Sequence, residues 1–143
     1  DTNDVVTAWA PAQPIPIEMG PLTFAYPIDI HKLVNTVTFE KTGTGYDRGV
    51  SDVFLKNNVS INETPFEMGE VSFHHNLNFH SAPRNRTNRS RVALANTYYR
   101  DGARVVNAPT MVSGDWQKFM PNVEPGDVAV SPLNPICWPV KDK

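Results

Sequence analysis

Apolar and β-branched positions along this chain come in short runs, each closed by proline, glycine or a cluster of small polar residues. That rhythm predicts strands rather than long helices. Residues 5–10 are β-branched and apolar and predict a buried strand, ended by Pro11, Pro14 and Pro16. Residues 19–26 predict a turn followed by a strand, and the strongest strand patterns after that are 66–74, 78–82 and 92–100. Between Lys32 and Thr64 the pattern is mixed, with a helical piece at 50–56 and a Gly/Thr loop at 42–45. Towards the end, Glu124-Pro125-Gly126-Asp127 is a turn that leads into a short apolar run at 128–131.

Thirteen prolines and eight glycines in 143 residues support an all-β architecture, and the length fits one domain spanning 1–143. A net charge of −2 gives no general electrostatic reason to bind nucleic acid or a membrane surface, and the cluster Arg84, Arg86, Arg89, Arg91 contains no interleaved aromatics. No long apolar stretch and no leader pattern stand out, so the expectation is a soluble chain in the cytoplasm. The single cysteine, Cys137, excludes an internal disulfide framework and reads as a packed small hydrophobe. Sequons begin at Asn58, Asn62, Asn85 and Asn88, and without paired cysteines or a leader they read as coincidental.

The chemistry is densest in Gly69-Glu70-Val71-Ser72-Phe73-His74-His75-Asn76-Leu77-Asn78-Phe79-His80, which passes through a basic, Asn-rich turn to Arg91 and Val92-Ala93-Leu94-Ala95-Asn96-Thr97-Tyr98-Tyr99. His80 ends one strand-like run and Arg91 opens the next, eleven residues later. This segment resembles the phytanoyl-CoA dioxygenase family of Fe(II)/2-oxoglutarate oxygenases, whose pattern reads approximately G-D-x-x-F-H, a few residues, H-x-x-x-x-N-x-S, then R-x-A-L. The similarity runs from about Val5 to about Pro139 and is weakest between roughly Ile28 and Pro65. Asn134 to Pro139 resembles the family's closing N-P-L segment.

The resemblance implies a double-stranded β-helix of jelly-roll or cupin type, incomplete at its N-terminus. It assigns His80 as an Fe(II) ligand and Arg91 as the residue that grips the distal carboxylate of 2-oxoglutarate. A planar guanidinium can do this bidentately, as lysine cannot. Non-haem Fe(II) needs two histidines and a carboxylate, and the family takes the other two ligands from an H-x-D motif. No H-x-D occurs in this sequence. In the family that motif lies shortly upstream of a segment like residues 4–11. The expectation is therefore the C-terminal part of such an enzyme, inactive alone, with Fe(II) and 2-oxoglutarate belonging to the parent and metal poorly held by this chain.

Each assignment has a plainer alternative. His80 could be a histidine packed in the barrel mouth, and Arg91 a solvated arginine like its basic neighbours, although only Arg91 heads an apolar run. His74 and His75 are adjacent in a strand and must face opposite sides, with structural roles favoured for both. Asp29-x-His31 has the reversed order of the metal motif and is not taken as its substitute, and Trp9 reads as core. Asn85 is expected to fix the turn between the ligand and anchor strands through side-chain to backbone bonds.

Taken together, the sequence implies a dioxygenase that hydroxylates a small or lipid-like substrate. The alternative is a non-catalytic jelly-roll module that binds a small acid or serves in assembly. A halogenase would instead carry a small residue at the motif's carboxylate position. Residues 28–65 form the variable insert, where substrate choice would reside. An exposed sheet edge would invite pairing with a second copy.

Overall fold

A computed structural model of the chain describes residues 1–40, 42–107 and 116–138. In chain order the described residues form β1 (Val5–Pro11), β2 (Thr23–Tyr26), α1 (His31–Val34), α2 (Gly45–Lys56), β3 (Ser60–Glu63), β4 (Ser72–His75), β5 (His80–Ser81) and β6 (Ala93–Tyr99), with short 3-10 turns between. One sheet has the order β4-β1-β6 and the other β3-β2-β5. The chain divides into two compact units, Val6–Thr97 and a unit made of Asp1–Val5 with Tyr98–Lys143.

In the larger unit, β1 runs antiparallel to β4 with Thr7 opposite His74 and Trp9 opposite Ser72. Strand alternation therefore places Thr7, Trp9, Ser72 and His74 on one face, and Val6, Ala8 and Phe73 on the other. The Thr7 and Thr97 hydroxyls meet at 3.0 Å, which puts Thr97 of β6 on the His74 face. In the second sheet β2 pairs with both β3 and β5, and Phe24 lies opposite Asn62 on one side and His80 on the other. Phe24 packs 5.2 Å from the His74 ring, so the sheets meet face to face through these residues. The core beneath the connections is small: Ile15, Met19, Leu22, Ala25, Ile30 and Val34 are buried. Ile15 is held by reciprocal backbone bonds to Phe66 of 2.8 and 3.0 Å.

The smaller unit is tied by its own backbone. The Asp1 amino group donates to the Arg104 carbonyl, and the Arg104 amide donates back to the Asp1 carboxylate. Ala103 and Ala129 are buried and joined by a 2.8 Å backbone bond, and the Tyr99 hydroxyl donates to the Ala129 carbonyl. The turn expected at Glu124 to Asp127 forms, with the Asp127 amide donating to the Glu124 carbonyl. The run after it makes isolated bridges, Arg104 with Val128 and Ser131 with Asn134, rather than a strand.

Four sequence expectations are corrected. The 66–74 strand begins only at Ser72, because Gly69 adopts a left-handed φ of 96° and the Glu67 amide donates to the Glu70 carboxylate in a turn. The helix expected at 50–56 starts at Gly45, and its glycines serve close approach, since a Cβ on Gly49 would press on the Val37 side chain. Strand β3 was not anticipated, because its residues are exposed and all polar but Ile61, and it exists through pairing with β2. Cys137 is exposed rather than packed, and its thiol lies 3.4 Å from the Pro135 carbonyl. Lys41 and Pro139 lie outside the described residues. Among the described residues no helix is long and apolar enough to cross a membrane.

Candidate functional site

His80 opens β5, directly opposite Phe24 of β2. Its Nδ1 lies 2.9 Å from the Asn78 carbonyl, and a carbonyl only accepts, so the ring proton sits on Nδ1 and the Nε2 lone pair is left available. The residue itself is exposed. His74, from the facing sheet, brings its ring to 4.6 Å from the His80 ring, with Phe24 completing an aromatic cluster.

His74 is buried, and its Nδ1 lies 3.4 Å from the Ser72 hydroxyl. Burial lowers its pKa below the ordinary 6.5, and repulsion from His80 adds to that, so at neutral pH it is an uncharged neighbour. The unfolded chain takes up that proton first. Stability from this site is therefore complete above the ordinary value of 6.5 and is lost as the pH falls below it. Urea midpoints compared at about pH 8 and about pH 5 should fall further for the native chain than for His74→Gln; equal falls would rule His74 out as the source. His75 turns the other way and accepts the Leu77 amide at Nδ1 over 3.1 Å, a turn-forming role. Two residues before His80, the Asn78 Oδ1 is buried and has no hydrogen-bond partner among the described residues.

Arg91 is half-buried, while Arg84, Arg86 and Arg89 are exposed. Its Nη1 donates to the carbonyls of Met19, Gly20 and Pro83. One prong of the guanidinium is thereby tied to the backbone on both sides of it, so the fork is held in place before any ligand arrives. The loop between His80 and Arg91 is itself ordered. The Asn85 side chain donates to the Arg89 carbonyl over 2.7 Å and accepts the Thr87 amide and hydroxyl, which is the turn-fixing role its position suggested. Gln13 reaches the Ser90 carbonyl at 2.9 Å, and the Arg86 amide donates to the Glu18 carbonyl at 2.8 Å, so this loop is laced to the segment preceding β2.

Of the other residues considered, Asp29 and His31 lie in the 3-10 turn and short helix after β2, where the His31 Nδ1 contacts the Ile28 carbonyl. Trp9 packs edge-on against Phe66 at 5.0 Å, consistent with a core role. Sequence reasoning missed the contact of His74 with His80. The signal lay in strand alternation, but placing the two rings together needed the register of β1 with β4 and of β2 with β5.

Two antiparallel sheets packed face to face, with a histidine at a strand end between them, make the fold a double-stranded β-helix of the cupin-like jelly-roll class. Two solved structures similar to this chain are of non-haem α-ketoglutarate-dependent enzymes. The chain is similar to the crystal structure of the non-haem α-ketoglutarate-dependent carbocyclase SnoK from nogalamycin biosynthesis, with a TM-score of 0.65 and 24% identity over 92% of this chain and 47% of that one. It is also similar to the non-haem α-ketoglutarate-dependent epimerase SnoN from nogalamycin biosynthesis, with a TM-score of 0.61 and 19% identity over 93% of this chain and 49% of that one. The chain thus spans about half the length of each of these enzymes. No protein-family profile matches the sequence. No curated protein matches it either.

Proposed function

We propose that this chain contributes an iron ligand and the oxo-acid clamp to an Fe(II)/2-oxoglutarate oxygenase of the phytanoyl-CoA dioxygenase kind, acting on a small or lipid-like substrate. The observation that carries this reading is the pair of backbone ties behind the two side chains. His80 is oriented through Nδ1 with Nε2 left to bind a metal, and Arg91 is oriented through Nη1 with the rest of its fork left for a carboxylate. Iron, when bound, supplies the oxidative chemistry, and these residues bind and orient the co-substrate.

Among the described residues no group of three His, Cys, Asp or Glu side chains comes together, so they do not make a facial triad by themselves. The chain alone should accordingly bind Fe(II) or Co(II) weakly. That incompleteness also favours a second reading, a non-catalytic jelly-roll module in which Arg91 binds a small acid. The two readings part on turnover, since only an oxygenase couples 2-oxoglutarate decarboxylation to O2 use.

Arg91→Lys tests the clamp. Losing the bidentate bond should cost about 1.5–3 kcal/mol, which weakens 2-oxoglutarate binding on the order of ten- to a hundredfold while Co(II) affinity stays the same. Calorimetric titration of 2-oxoglutarate in excess Co(II) reads this directly. Unchanged co-substrate affinity in the variant would remove Arg91 from the site.

A further inference from the structure

Helix α2 and the β3-β2-β5 sheet line a cavity of about 550 Å³, whose lining includes Phe24 and His80. Strand alternation divides this lining between the two faces of the sheet. Phe24 and His80 are paired and turn their rings towards His74, so Thr23, Ala25, Ile61, Glu63 and Ser81 turn the other way. On the floor the Thr23 hydroxyl is bonded to the Ser81 carbonyl at 3.1 Å and to its hydroxyl at 3.0 Å. The walls are apolar. Val50 and Phe54 of α2 stand over the floor, and Phe54 meets Phe79 edge-on at 6.0 Å.

Among the described residues, the Asp, Glu, Lys and Arg side chains that line this cavity all carry one sign. Asp47 in the first turn of α2 and Glu63 at the end of β3 line it, no lysine or arginine does, and neither carboxylate has a cationic partner among the described residues. Tyr46 also lines it, and its hydroxyl titrates above its ordinary value, through burial first and then the charge of Asp47.

We propose that this cavity binds an amphipathic organic cation: a ring system carrying a protonated amine. Its volume suits a molecule of drug size, and its aromatic and aliphatic walls suit a ring. Asp47 and Glu63 take the ammonium, which also gains from the negative face of the Tyr46 ring. An anion of the same shape meets two unpaired carboxylates and is rejected, so a fatty acid or other carboxylated lipid is the wrong occupant. His80 borders the cavity, but the contacts to the ammonium come from Asp47, Glu63 and Tyr46 and require neither iron nor 2-oxoglutarate.

Metal-free calorimetric titrations of the whole chain with 2-(1-naphthyl)ethylamine, 1-naphthylacetate and the neutral 2-(1-naphthyl)ethanol test this. The amine should bind about tenfold or more tighter than the acetate, with the alcohol between, and the gap should narrow as salt is raised. In Asp47→Asn with Glu63→Gln the amine should fall to the affinity of the alcohol, while alcohol binding, which depends on the apolar walls, stays as it was. The proposal is overturned if no probe binds, if the acetate binds as well as the amine, if the preference survives in the double variant, or if salt leaves the native preference unchanged.

Discussion

Replacing Gly20 with alanine should destabilise the larger unit by about 3 kcal/mol or more, a large part of the roughly 5–15 kcal/mol that holds a domain of this kind together. Two costs combine. Gly20 sits at a φ of 71°, where a side chain costs about 1–2 kcal/mol. A Cβ there would also run into the Pro83 carbonyl and approach the Arg91 Nη1 at 3.2 Å, so the backbone of the His80–Arg91 loop would have to move. Gly69 is the control within the same unit. Its φ is 96° but open space surrounds it, so Gly69→Ala should cost only the conformational term of about 1–2 kcal/mol. Urea midpoints of the two variants give the comparison, and equal losses would mean that the close approach of the two loops has no energetic weight. Because the Gly20 carbonyl also receives the Arg91 guanidinium, Gly20→Ala should weaken 2-oxoglutarate binding as well, although it touches no ligand.

The isolated chain should self-associate through the outer face of the β4-β1-β6 sheet. Alternation places Val6, Ala8 and Phe73 there, together with Leu94, which stands out of phase with the inward Thr97. Phe73 is 71% and Leu94 61% exposed, a degree of apolar exposure that marks an interaction surface when the residues are contiguous. Burying a Phe or Leu against a partner contributes about 1.5–3 kcal/mol, so Phe73→Lys with Leu94→Lys should raise the self-dissociation constant a hundredfold or more. Sedimentation velocity across tens of micromolar would register the change. A native chain that stays monomeric throughout that range would show that the face is tolerated in water.

Strands β1, β2 and β6 were legible because apolar and β-branched runs bounded by proline and glycine are local signals, and the turn at Glu124 to Asp127 was legible for the same reason. The glycines misled in two ways. Gly69 stood inside an apparently continuous strand and breaks it, whereas Gly45 read as part of a loop and opens α2, where its lack of a Cβ admits the Glu40 side chain. What a glycine does depends on what approaches it, which a pattern of neighbours along the chain does not contain.

The same division runs through the candidate site. Spacing within one segment singled out His80, Arg91 and Asn85, and Asn85 acts over four residues, so its turn could be foreseen. Two of the three carbonyls that hold Arg91 come from Met19 and Gly20, some seventy residues earlier, and the ring against His80 comes from the opposite sheet. Asp47 of α2 and Glu63 of β3 are likewise brought to one cavity only by the packing of elements apart in sequence. By itself the sequence determined residue chemistry, turn positions and the alternation of faces, because these follow from local backbone sterics and spacing. Tertiary structure decided register, which faces are buried and which polar groups meet, because those depend on contacts between segments distant along the chain.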